Sequence, residues 1–120
     1  MIRRLLCAVV FLVVAVAANA EPLKLASKYG SAGTNPDGSK YTGSAVVHVI
    51  SDTTFTIEWT INSETYKGFG MRMNDSLAAT YMINGEPGLI IYHVDDKGIL
   101  RGVWAIRGED GNGSEVLTPQ

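Results

Sequence analysis

After residue 23 the chain alternates apolar and polar side chains in short runs, broken at close intervals by turn-forming residues. The run 55–61 is the clearest. Phe55, Ile57, Trp59 and Ile61 interleave with Thr56, Glu58 and Thr60, the period of two that gives a strand one dry face and one wet face. The run 41–50 predicts a long strand with Tyr41, Ala45, Val47 and Val49 on one side. Segments 23–29, 65–73, 77–83, 89–94, 99–107 and 115–118 complete a set of eight. Between them stand turn signals. In Asn35-Pro36-Asp37-Gly38 proline presets the first central position and glycine supplies a positive φ. Asn84-Gly85 is the strongest two-residue hairpin signal, and segments 30–40 and 108–114 read as polar loops. Gly68 and Gly70 interrupt the run 65–73 and predict a bulge or a tight curve there.

No run after the leader places apolar residues at helical spacing over three turns, so the expected fold is all-β. Eight short strands with hairpin-length connections make an antiparallel up-and-down meander, which closes most simply as a small barrel. Closure also removes the unpaired edges that a β protein must otherwise protect. A two-sheet sandwich shares the same alternation and stands as the alternative. In either case Phe55, Ile57, Trp59 and Ile61 should share a core with Val47, Val49, Leu100, Trp104 and Ile106, while Thr56, Glu58 and Thr60 face water.

The first twenty residues break the pattern. Arg3 and Arg4 precede a nearly unbroken apolar run from Leu5 to Val16, and Ala18-Asn19-Ala20 places small residues where a signal peptidase reads them. The run is shorter than the roughly 20 residues a membrane helix needs, so residues 1–20 are expected to be a signal peptide. Residues 21–120 then form a single periplasmic or secreted domain with no membrane span. The only cysteine, Cys7, leaves with the leader, and the mature domain has neither disulfides nor thiolate metal sites to staple it. Loss of Arg3 and Arg4 leaves eight Lys and Arg against twelve Asp and Glu. That acidic balance argues against nucleic acid and against an anionic membrane surface.

Candidate chemistry is sparse. His48 and His93, with Asp52, Glu58 and Asp95 nearby in sequence, offer the material for a metal site or an acid–base pair. Their spacing matches no zinc pattern, and the parity of His48 turns it to solvent. No serine sits in a nucleophile elbow. The segment 110–115 resembles half of a calcium loop but lacks the twelve-residue spacing, so a turn-forming linker is the plainer reading. The large aromatics Trp59, Tyr92 and Trp104 are the candidate ligand-binding residues, with Tyr41 and Tyr81 beside them, since rings of this kind line barrels that hold one small ligand. They are equally suited to filling a core. No catalytic residue, metal or cofactor is expected.

The punctuation of glycines and aromatics carries one resemblance. The run Gly33-Thr34-Asn35-Pro36-Asp37-Gly38-Ser39, then Tyr41 and Gly43, resembles the opening of a group of small exported bacterial proteins. It continues through Trp59, Gly68, Gly70, Ile91-Tyr92, then Gly98, Leu100, Gly102, Trp104 and the ending Gly113, Glu115, Leu117, Pro119. Some members of that group carry the label fibronectin-binding protein. The resemblance implies a bacterial, exported β domain and brings no catalytic residues with it. The expected function is therefore non-enzymatic binding in the cell envelope, of a protein partner or of a small apolar ligand carried in an aromatic-lined cavity. A metal-dependent enzyme built on the two histidines is the remaining reading.

Overall fold

The computed structural model describes residues 25–120; the expected signal peptide and Leu23 lie outside them. Eight antiparallel strands follow in chain order: β1 (Lys28–Thr34), β2 (Lys40–Val49), β3 (Thr54–Ile61), β4 (Glu64–Met73), β5 (Ser76–Ile83), β6 (Glu86–Val94), β7 (Leu100–Ile106) and β8 (Gly113–Pro119). Each pairs with the next, and β1 pairs with β8 from Tyr29↔Pro119 to Thr34↔Ser114. The meander therefore closes into a barrel, and the sandwich alternative falls away. The expected hairpin at Asn84-Gly85 has both central residues at positive φ, 49° and 77°, the geometry whose twist matches the flanking strands. Gly38 supplies the positive φ, 89°, that closes the turn after Pro36.

The interior follows the alternation. Phe55, Ile57 and Trp59 point inward and are buried, with Ala45, Val47, Leu77, Ala79, Ile90, Leu100 and Leu117 around them. Glu58 and Thr60 face water. Val49 departs from its expected place: it has inward parity but is 61 % exposed. It stands at the last position of β2, beyond the layer where the core closes, and borders a shallow depression with Leu25 and Phe55. Ile61 and Trp104 are only half-buried, because they stand at the other, open end.

Two further expectations change. Residues 30–34 are strand, not loop, because β1 has ladder partners on both sides, β2 and β8, which outweigh the turn-forming composition of Gly30, Ser31 and Gly33. Gly68 and Gly70 make no bulge either. The β3–β4 register runs uninterrupted from Thr54↔Met71 to Ile61↔Glu64. These glycines face inward beneath rings of the neighbouring strand. A Cβ on Gly68 would sit 2.8 Å from Trp59 Cζ3, and one on Gly102 would sit 2.6 Å from Tyr92 Cδ1 and 2.8 Å from the Ile91 carbonyl oxygen. Phe55 over Gly70, Tyr41 over Gly33, Tyr81 over Gly88 and Trp104 over Gly113 repeat the arrangement across direct cross-strand pairs. An eight-stranded barrel has an interior just wide enough for side chains, and each large ring takes the space that a facing side chain would occupy.

The outer surface is two-sided. Met71, Ala78, Ile91 and Val103 form one cross-strand row over β4 to β7, and Phe69, Thr80, Leu89 and Ala105 form the next. Around β2 and β3 the outward positions other than Val46 are instead polar, among them Ser44, His48, Glu58 and Thr60, so the apolar rows make no continuous girdle. Among the described residues no helix is long and apolar enough to cross a membrane.

The ring-over-glycine packing is testable. Gly102→Ala should cost about 2–3 kcal/mol, the range of core overpacking, because both its contacts are crowded and one is backbone. Gly30→Ala meets only the flexible end of Gln120, at 3.1 Å, and should change stability by about 0.5 kcal/mol or less. Urea unfolding of the two variants beside the parent measures the difference, and equal midpoints would refute the steric account.

Candidate functional site

Four connections, β1–β2, β3–β4, β5–β6 and β7–β8, gather at one end of the barrel. They surround a cavity of about 210 Å³. Its walls are the rings of Tyr41, Trp59, Tyr66, Tyr81 and Trp104 and the aliphatic side chains Ile61, Ile83, Ile90 and Ile106, with Asn35 and Asn62 toward the mouth and Glu115 below. Strand parity produces this set. Tyr41, Trp59, Tyr81, Trp104 and Glu115 all occupy inward positions, each on a different strand. Trp59 meets Tyr81 edge-on, at 5.4 Å between ring centroids and 64° between planes, and Tyr41 meets Trp104 at 6.4 Å and 62°. Such edge-to-face pairs hold the rings upright around the space.

Glu115 is only 3 % exposed, and its carboxylate is the point on which the polar groups converge. Ser31 Oγ donates to Oε1 at 2.9 Å and the Tyr41 hydroxyl donates to the same oxygen at 3.1 Å. Trp59 Nε1 donates to Oε2 at 3.1 Å, and the Tyr92 hydroxyl donates there too. The indoles fix the direction of this network, since an indole N–H can only donate. Trp104 Nε1 gives its proton to the Tyr41 oxygen at 3.1 Å, so the Tyr41 proton points on to Glu115 rather than back. The longer 3.4 Å contact to the Ser114 carbonyl is its weaker outlet. Trp59 Nε1 also reaches the Tyr92 oxygen, at 3.1 Å, and orients that phenol in the same way. Among the described residues every buried side-chain polar atom has a hydrogen-bond partner.

The phenols are correspondingly hard to ionise. Burial raises Tyr92 well above the usual tyrosine range, and the Glu115 carboxylate adds to it. Tyr41 is raised by burial first and by Glu115 next. Tyr81 is pushed up to about 12 by burial, then by the carboxylates of Glu115 and Glu109.

The structure distributes the sequence candidates unevenly. Trp59 and Trp104 line the cavity, with Tyr41 and Tyr81 between them, whereas Tyr92 is wholly buried beneath it and contributes its hydroxyl to Glu115. Glu115 and Tyr66 do not stand out in the sequence as site residues. Glu115 shares the inward parity of Leu117 two residues on, which is the signal that places it. His48 and His93 lie on the outer faces of β2 and β6, strands that do not adjoin. His93 Nδ1 approaches Asp75 at 3.5 Å, and the two histidines share no site. Asp37, in the first turn, accepts from Ser39 N at 2.9 Å and Ser39 Oγ at 2.6 Å. These bonds hold its carboxyl below the usual range and close a side-chain-capped turn.

No protein-family model and no curated protein matches this chain. Solved barrels do match its fold. A redesigned β-barrel, b11L5F_LGL, superimposes with a TM-score of 0.63 at 17% identity, covering 80% of this chain and 91% of that one. A de novo designed fluorescence-activating β-barrel gives 0.62 at 13% identity, covering 85% and 97%. The barrel EF1p2_mFAP2b, solved bound to DFHBI, gives 0.59 at 16% identity, covering 80% and 94%. At these identities the likeness is one of fold.

Two outcomes follow from the network. Tyr92→Phe removes one of the donors on a buried carboxylate and should cost about 1.5–3 kcal/mol, whereas Tyr66→Phe removes an exposed hydroxyl bonded to Glu64 and should cost about 0.5 kcal/mol or less; chemical denaturation reads both. In alkali, tyrosines of the unfolded chain ionise near pH 10 while Tyr41, Tyr81 and Tyr92 keep their protons. The unfolded state then binds fewer protons than the folded one, so stability falls as pH rises from about 10. Tyrosinate absorbance from these residues should appear together with loss of the β circular-dichroism signal. Their full ionisation near pH 10 in an intact barrel would contradict the buried network.

Proposed function

We propose that the mature chain is an exported, non-enzymatic binding domain that holds one compact small molecule at the aromatic end of its barrel. The observation that carries this reading is the cavity itself: five rings and four isoleucine side chains around an open space, above a carboxylate already engaged by donors. An aromatic-lined concavity with a few directed polar groups is the usual form of a small-molecule site. At about 210 Å³ it is smaller than the roughly 300–1,000 Å³ of sites for drug-sized ligands, so the occupant is a single ring or a branched group of similar bulk. A barrel of similar fold solved bound to DFHBI supports a binding role for this architecture.

The non-enzymatic part rests on chemistry. Glu115 has its lone pairs occupied, the phenols around it are held neutral, and the two histidines are on the outer surface. Export rests on the leader pattern of residues 1–20, and the resemblance to small exported bacterial proteins supports the periplasm or beyond as its destination. A macromolecular partner, the other expectation from sequence, would meet the outer apolar rows over β4 to β7. Those rows offer area, whereas the cavity offers directed chemistry, and the cavity therefore carries the reading.

The test is titration of the purified protein with a panel of single-ring and branched compounds, followed by tryptophan emission and calorimetry. Saturable one-to-one binding is expected, with an emission change because Trp59 and Trp104 form the walls. Ile83→Phe, which narrows the mouth, should weaken it at least tenfold without lowering the melting temperature. Absence of saturable binding across the panel, or binding indifferent to Ile83→Phe, would overturn the assignment.

A further inference from the structure

Among the described residues the charge in the cavity has no counterpart. Ser31, Tyr41, Trp59 and Tyr92 are the donors to Glu115, and none of them is cationic. Among the described residues the ion pairs are His93–Asp75 and Arg107–Glu86, both on the outer surface. Among the described residues no lysine, arginine or histidine lines the cavity. Neutral donors offset much of the cost of burying a carboxylate, but they leave its net charge in place. In a space walled by protein on its sides and floor that field is less screened than in bulk water and extends into the cavity.

The walls have the matching polarity. The face of a tyrosine or tryptophan ring is negative and attracts a cation, most strongly where water is excluded. Trp59, Trp104, Tyr41, Tyr66 and Tyr81 surround one space. The rim continues the theme. The connections and strand starts at this end carry Asp37, Glu64, Glu86, Glu109 and Asp110 against Lys40 and Arg107. At the opposite end Asp52, Asp75, Asp95 and Asp96 are matched by Lys28, Arg72, Lys97 and Arg101. An acidic rim raises the local concentration of cations at the mouth and repels anions.

We infer that the ligand is an organic cation carrying an alkylated ammonium group, seated among the rings of Trp59, Trp104 and Tyr81 and balanced by the charge of Glu115. This inference rests on the cavity being the binding site and adds the chemical class of its occupant. Alkylation is part of the argument. The Glu115 oxygens already take four donors, so a primary ammonium would bring three N–H groups to a carboxylate with no acceptor capacity left. A quaternary or tertiary ammonium needs few acceptors or none, and it presents methyl groups to the rings.

A matched pair of probes decides the matter on the unaltered protein. Choline and 3,3-dimethylbutan-1-ol have the same shape, and differ in a positive nitrogen against a neutral carbon. Calorimetry should show choline binding at least tenfold tighter, with its advantage shrinking as salt rises. Glu115→Gln should reduce the advantage to less than threefold. Should that variant not fold, Trp104→Leu, at a half-buried position, reads the ring contribution and should weaken choline more than the alcohol. Equal binding of the two probes, or tighter binding of the alcohol, overturns the cation and leaves the cavity reading standing. Failure of choline alongside success of other panel compounds does the same. Failure of every compound overturns both.

Discussion

Narrowness is the constraint from which the rest of this structure follows. Eight strands close into a barrel whose interior holds about one layer of side chains from each wall, yet eight large rings point into it. Six of them fit because each lies over a glycine: Tyr41 over Gly33, Phe55 over Gly70, Trp59 over Gly68, Tyr81 over Gly88, Tyr92 over Gly102 and Trp104 over Gly113. The register is locked as a consequence. A slip of one residue would send every ring to the outer face. A slip of two would keep the face but bring a ring against a neighbour with a Cβ. Glycine normally weakens a strand; here the packing of an aromatic ring on the exposed backbone offsets that loss, and the pairs act as register pins at five of the eight seams of the barrel.

That arrangement also explains why a carboxylate is tolerated inside. Rings standing on glycines bring their polar ends, two indole N–H groups and two phenols, toward one level of the barrel, and Glu115 enters from β8 at that level. An apolar side chain at 115 would take the acceptor from Ser31 and Tyr92, at roughly 1–3 kcal/mol each, and leave Trp59 and Tyr41 only the Tyr92 oxygen and the Ser114 carbonyl. The carboxylate is thus the hub of the interior polar groups as well as the source of its charge.

Much of the fold was legible because period-two alternation is strong where one face is dry. The run from Phe55 to Ile61 showed its inward side directly, and Asn84-Gly85 announced its hairpin. What misled was composition. Gly30, Ser31 and Gly33 look like a loop, and Gly68 and Gly70 look like a bulge, since glycine has the same local meaning in both settings. Only the partner across the ladder tells a turn glycine from one that lies beneath a ring. The site was half legible for the same reason. Trp59 and Trp104 stand out by size, whereas Glu115 follows directly on a glycine-rich polar stretch that masks it, although its spacing from Leu117 puts it on the inner face. Val49 shows the opposite limit: parity gives direction, but not whether a strand end still lies within the core.

Filling the barrel and opening it turn out to be one problem solved at two levels. Toward the end covered by Leu25 and Ala26, the inward residues include Phe55, Leu77, Val94, Leu100 and Leu117, compact and apolar, and they close the interior. One layer on, Glu115 demands donors, and besides the Ser31 hydroxyl the strands supply them from the edges of large rings. Held upright by their hydrogen bonds and by edge-to-face contact with each other, those rings become walls rather than filler. No small residue above them turns inward to occupy the middle, since the next inward positions, Ile61, Ile83 and Ile106, stand around the mouth. The cavity and the buried carboxylate are therefore linked: Tyr41 and Trp59, two of its four donors, are also walls of the space above it.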